Sequence, residues 1–218
     1  DSLLFRKKLE QSLSADPRIE IVGTAMDPAD AMKKIEALNP DVLTLDVEMP
    51  KMNGIEFLKK LMPQRPIPTI VVTSLPLNAL DALQAGAVDF VKKPVVKGPN
   101  DLKNFIKDLA FKIKIASTAK VRRALPATAR TMPSLTQPLS ANKSYSPNQI
   151  IAIGASTGGT EAILEVVKDL PPKTPGIVIV QHIPPVFSKM YAQRLDKICK
   201  MSCKEAEDND RVLPGRII

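Results

Sequence analysis

Histidine is nearly missing from this chain of 218 residues: there is one, His182. Tryptophan is absent and aromatics make up only 4%, which argues against a base-stacking nucleic-acid surface. The two cysteines, Cys199 and Cys203, lack Cys-x-x-Cys spacing and read as reduced thiols in a cytoplasmic protein. No apolar run nears the roughly 18 residues of a membrane span. The first residue is Asp1, no signal-like segment follows it, and the chain reads as a piece of something longer. Acidic residues vanish from one region: residues 116–149 carry 5 basic and no acidic side chains. Residues 1–115 carry 17 and 15, and residues 150–218 carry 9 and 8, so most of the net charge of +8 collects in the middle. A folded DNA-reading face would concentrate charge on a domain. No helix-turn-helix or zinc-finger spacing is present, and neither a nucleic-acid partner nor membrane insertion is expected.

What is present suffices for two modest domains or one large one, with 44% apolar and 25% charged residues. In residues 1–115, short apolar runs at Ile19–Ala25, Val42–Leu45, Thr69–Val72 and Val88–Val91 alternate with helical patterns. Asp27 and Pro28 read as an N-cap and first helical position. Ala31, Met32, Ile35 and Leu38 make one apolar face, and Asn39-Pro40 stops that helix. Leu102, Phe105, Ile106, Leu109 and Ile113 mark a last amphipathic helix. The alternation predicts a doubly wound parallel sheet. Asp46 ends the run Val42–Leu45, Thr73 ends a second and Lys93 closes a third, while Asp1 opens a helix and could end a preceding strand. Carboxylates gathered at one sheet edge call for a hard cation, Mg²⁺ being the usual one. A hydroxyl and an ammonium beside it could bind a phosphoryl group.

From Ala116 to Gln149, Pro, Ser, Thr and Ala dominate and no period survives, so this stretch reads as a flexible linker. Beyond it a second α/β pattern begins: Ile150–Ile153, a helix over roughly Gly159–Leu170, Ile177–Val180, and a helix from about Val186 to Lys200. The last helix has an apolar face of Phe187, Met190, Tyr191, Leu195 and Ile198, with Arg194 the exception. Between the first run and its helix lies GASTGGT, Gly154–Thr160. Its first five residues fit G-x-S-x-G, the strand-to-helix turn that lifts a serine hydroxyl out of a sheet between glycines. Ser156 needs a base to become a nucleophile, and His182 is the one histidine. Their separation of 26 positions suits one helix and one returning strand. Parallel neighbours would then bring both to one carboxyl edge, where α/β sites lie. A rival reading makes GASTGGT a phosphate-cradling loop, although it lacks G-x-G-x-x-G spacing and a Walker lysine.

The opening DS, LDVEMP-x-MNG at 45–54, VVTS at 71–74 and FVKKP at 90–94 resemble the receiver domain of bacterial response regulators. The resemblance implies a flavodoxin-like fold, with Asp46 as the phospho-acceptor. It further implies Mg²⁺ held by Asp1, Asp46 and the Glu48 backbone carbonyl, with Thr73, Lys93 and Phe90 as switch residues. The first residue of the family's acidic pair, and the strand before it, are not in this sequence. IAIGASTGGTEAI, QHIPPVFSKMYAQRL and KEAEDNDRVLPGRI resemble the catalytic domain of the chemotaxis protein-glutamate methylesterase family, which implies a Rossmann-like domain, incomplete here.

Two doubly wound parallel-sheet domains are therefore expected, a receiver over 1–115 and part of a methylesterase domain over 150–218, joined by the linker. The resemblance implies hydrolysis of glutamate methyl esters, and deamidation of certain glutamines, on chemoreceptor cytoplasmic domains. No cofactor is expected for the ester chemistry. A chemotaxis histidine kinase would be the phosphodonor, and phosphorylation would relieve a block by the receiver. Ser156 and His182 match the first two triad members, the third being an aspartate expected beyond Ile218. The Thr157 backbone N–H could bind the oxyanion. Residues 1–218 by themselves are expected to be inactive as an esterase, unless Asp208 or Asp210 serves His182. The alternative is a response regulator whose output domain binds nucleotide or phosphate through GASTGGT.

Overall fold

Thr69–Thr73 is buried at every position, as a strand covered on both faces must be, and the first half of the chain is built around it. The computed structural model describes residues 3–49, 52–95, 99–119, 121 and 149–218. The chain divides into two compact units, Asp1–Arg123 and Ala124–Ile218. Most of the expected linker, and Asp1, lie outside the described residues.

The first unit runs α1 (Leu3–Leu13), α2 (Pro28–Leu38), β1 (Leu43–Asp46), α3 (Gly54–Gln64), β2 (Thr69–Thr73), α4 (Pro76–Gln84), β3 (Asp89–Lys92) and α5 (Pro99–Ala116). The strands pair in parallel in the order β1-β2-β3, each crossover carrying a helix. Asp27 caps α2 by accepting the Asp30 N–H at 2.9 Å. Asn53 caps α3 by accepting the Ile55 N–H at 2.8 Å. Asn39 ends α2 in the left-handed conformation, φ 45°, which asparagine tolerates. Leu13, Ile70, Val72, Val91, Phe105 and Leu109 form one buried cluster, so the face expected of α5 does meet the sheet.

One expected strand does not form. Ile19–Ala25 has no regular structure, and among the described residues no strand pairs with it. A strand is held by ladder hydrogen bonds to a neighbour, so an apolar run without one stays irregular. The segment instead lines a cavity of about 620 Å³, together with Val42–Asp46. The face expected of α2 is correspondingly only half covered: Ile35 is buried, but Leu38 is 43% exposed.

The second unit contains β4 (Ile150–Ala155), α6 (Gly159–Val167), β5 (Gly176–Gln181), α7 (Phe187–Ile198), β6 (Ser202–Cys203) and β7 (Arg216–Ile217). All its strand pairs are parallel, in the order β4-β5-β7-β6. Phe187, Tyr191 and Leu195 seat α7, whereas Ile198, expected on that face, is 45% exposed. Arg194 interrupts the apolar face and pairs through both terminal nitrogens with Glu161, at 2.5 and 3.1 Å. Helix α6 stops at Val167, three residues before the expected end. The two-residue strands β6 and β7 are too short to leave a periodic signal.

Candidate functional site

In the first unit, Asp46 ends β1, Thr73 ends β2 and Lys93 follows β3 directly. A parallel sheet delivers all three to one carboxyl edge. The Lys93 ammonium lies 2.7 Å from Asp46 Oδ2 and 3.2 Å from Glu48 Oε2. Asp46 Oδ1 accepts the Glu48 N–H at 3.0 Å. Thr73 is fully buried, and its hydroxyl accepts the Leu75 N–H at 3.2 Å, which starts the turn into α4. Phe90 lies 1% exposed within β3, with the Lys112 ammonium 5.5 Å from its ring centre. Lys112 itself is buried, donating to the Phe90 carbonyl at 2.8 Å and to Asp89 Oδ1 at 3.2 Å.

Two features here had no signature in the sequence reading. The Glu48 side chain shares Lys93 with Asp46, a contact made across 45 positions. Gly54 packs its Cα against the backbone of Asp46, where an added Cβ would lie 2.1 Å from the Asp46 carbonyl oxygen. Gly54→Ala should therefore displace α3 from the loop after β1 and destabilise the unit by about 2–3 kcal/mol, the scale of overpacking. Urea denaturation measures this, and an unchanged midpoint would refute the close approach.

As to a metal, Asp46 and the Glu48 carbonyl offer hard oxygen donors of the kind Mg²⁺ takes, so the donor chemistry fits. Among the described residues no three His, Cys, Asp or Glu side chains gather into a metal cluster. The expected third ligand, Asp1, lies outside the described residues.

In the second unit, Ser156 follows β4 and His182 follows β5, and both are exposed. The paired strands end in register at Ala155 and Gln181, so the two residues stand one position beyond the last pair. His182 N–H donates to the Ala155 carbonyl at 3.0 Å. The Gln181 side-chain amide donates to the Ser156 carbonyl at 2.8 Å and to the His182 carbonyl at 3.3 Å. Among the described residues, backbone and Gln181 thus join the two loops, with no described hydrogen bond from the Ser156 hydroxyl or the His182 ring. Catalytic hydrogen bonds often tighten only when substrate is bound. No described ion pair involves His182.

The sequence argument for flanking glycines needs correcting. A Cβ on Gly154 would meet nothing within 4 Å, whereas Gly158 sits at φ 75° and caps α6. At Gly159 a Cβ would lie 2.2 Å from Gln181 Oε1 and 2.6 Å from the Ala155 Cβ. The second and third glycines are the ones the turn needs: one for its left-handed backbone, the other to let α6 approach β5. Thr157 sits in this turn with its hydroxyl buried and without a partner among the described residues. Among the described residues Asp210 has partners other than His182. It accepts the Glu207 N–H at 2.8 Å and pairs with Lys204 at 3.0 Å, contacts that hold its carboxyl below its ordinary range.

The cysteines remain free thiols. Burial, above all, pushes Cys203 up to about 12 and raises Cys199 as well, the opposite of a reactive thiolate. Among the described residues no helix is long and apolar enough to cross a membrane.

A strand-end aspartate paired with a lysine on a parallel sheet belongs to a domain type that the family comparison names. Residues 1–124 match the model of the response regulator receiver domain, and the chain belongs to that family. Residues 151–218 match the model of the CheB methylesterase, so the receiver is joined in one chain to part of a methylesterase domain. A protein-glutamate methylesterase/protein-glutamine glutaminase of Syntrophotalea carbinolica is 47% identical, over 100% of this chain and 63% of its own length. A second protein of that name, from Syntrophomonas wolfei, is 48% identical over 100% of this chain and 62% of its own length. The chain thus spans a little under two thirds of these relatives. Among solved structures, the response regulator domain of Thermotoga maritima CheB aligns with 55% of this chain and 92% of its own. Its TM-score is 0.50 and its identity 36%.

Proposed function

We propose that this chain is the regulatory and nucleophile-bearing portion of a hydrolase that removes methyl esters from glutamate side chains of chemoreceptors. The observation that carries this is the placement of Ser156 and His182 at the ends of two adjacent, in-register parallel strands. Ser156 attacks the ester carbonyl while His182 takes its proton. His182 then protonates the departing methanol, and water releases the glutamyl product. The Thr157 N–H, at the start of the turn into α6, holds the developing oxyanion. The same attack on a side-chain amide would serve the glutaminase activity in the relatives' names. A nucleotide or phosphate cradle finds no support in the matched methylesterase model.

Control resides in the receiver. Asp46 accepts a phosphoryl group from a chemotaxis histidine kinase, and Lys93, already at the carboxylate, neutralises the added charge. Thr73 turns its hydroxyl from Leu75 toward the phosphoryl oxygens, and Phe90 follows as the β3 edge rearranges. Mg²⁺, held by Asp46, the Glu48 carbonyl and Asp1, would offset the negative charge of the incoming group. The test is methanol release from a methylated chemoreceptor cytoplasmic fragment by the full-length protein. Release should rise when a small-molecule phosphodonor and Mg²⁺ are added. No release under either condition refutes the esterase; release indifferent to the phosphodonor refutes the control.

A further inference from the structure

Gln181 is a polar residue where the pattern of its strand calls for an apolar one. Side chains alternate along β5, and Ile177, Ile179 and Gln181 share a face, Ile177 being fully buried. Gln181 lines a small cavity of about 200 Å³ with Ile179, Tyr191 and Leu195. The side chain is partly covered, and the partners of its amide nitrogen lie at the exposed strand end. There are two, the carbonyls of Ser156 and His182, at 2.8 and 3.3 Å. Only the NH₂ end of the amide can donate to two carbonyls, which settles the orientation of the group. The oxygen end then points at Gly159, is buried, and has no hydrogen-bond partner among the described residues.

From this arrangement we infer that Gln181 is a positioning residue of the reaction. Its amide holds the nucleophile turn and the histidine loop at a fixed separation. Strand pairing alone cannot do so, because the ladder ends at Ala155 and Gln181. Beyond it, one backbone bond, His182 N–H to the Ala155 carbonyl, is the remaining tie among the described residues. The Gln181 bridge adds a second point of attachment across the loops, to the Ser156 carbonyl, and ties the same amide to the His182 carbonyl on its own side, which resists rotation of one loop against the other. Geometry errors of about 1 Å between reacting groups cost on the order of 10²-fold in rate. The absence of a side chain at Gly159 belongs to the same device, since a Cβ there would lie 2.2 Å from Gln181 Oε1 and force the amide to shift.

The inference rests on the esterase reading, and the experiment separates the two. In the full-length protein, Gln181→Met keeps the length of the side chain and removes the donor. It should lower kcat at least ~10-fold with KM within about 2-fold, because substrate contacts are untouched while the reacting pair loosens. Labelling of Ser156 by a fluorophosphonate should slow by a similar factor, and the melting temperature should hold. Wild-type kinetics and labelling in Gln181→Met overturn the inference, as does a loss of activity that only follows a loss of folded protein. A wild type that neither hydrolyses ester nor labels at Ser156 overturns the esterase reading, and this inference with it.

Discussion

Ser156→Ala in the full-length protein should lower methanol release from methylated receptor by ~10⁴–10⁶-fold, the scale of loss when a serine hydrolase loses a member of its triad. The alanine removes one exposed oxygen at the end of β4 and leaves the packing of the turn intact. Gly158 still adopts φ 75°, and the Gln181 bridge reaches the backbone carbonyl of residue 156, not its hydroxyl. The fold should therefore survive, and receptor should still bind. His182→Ala should be about as damaging, because without a base the hydroxyl is a poor nucleophile at neutral pH. The double variant should be little worse than either single one, since a nucleophile and its base act as a unit. Fully additive losses in kcat would show that the two act separately. Activity surviving in Ser156→Ala would show that the nucleophile lies elsewhere.

The second large effect concerns the other unit. Asp46→Asn should abolish phosphoryl uptake from a small-molecule donor in Mg²⁺. The amide nearly matches the carboxylate in shape but cannot form the acyl phosphate. It also removes the charge that Lys93 faces at 2.7 Å. Because Lys93 keeps Glu48 as a partner at 3.2 Å, the ammonium is not stranded, and the unit should stay folded. Esterase activity in this variant should remain at its unphosphorylated level whether or not donor is present. Labelling equal to wild type would remove Asp46 as the acceptor. Labelling lost with the donor response intact would uncouple phosphorylation from control.

How much of this was legible in the residues depends on the range of each interaction. Asp27 and Asn39 announce the ends of α2 because caps act within a few positions. The face of α5 shows because Leu102, Phe105 and Leu109 repeat with the helix period. Strand ends were readable to within a residue or two where a run of apolar residues meets a polar one, which is why Asp46, Thr73, Lys93, Ser156 and His182 could be placed at sheet edges beforehand. Ile19–Ala25 misled for the same reason. Its apolar pattern is that of a strand, yet a strand exists only with a neighbour to bond, and an apolar run does not reveal its neighbour.

The sequence by itself determined the α/β alternation, the two α/β units and the residues at the ends of β1 to β5, all consequences of contacts close along the chain, but not the failed strand at Ile19–Ala25 or the short strands β6 and β7. Tertiary structure decided the rest. Lys93 meets Glu48 across 45 positions and Gln181 meets Ser156 across 25. Gly54 is required by the backbone of Asp46, Gly159 by the amide of Gln181, and Gly154 by nothing within reach. Such requirements arise when two distant segments are brought to van der Waals distance, and the spacing of residues along a chain does not encode that distance.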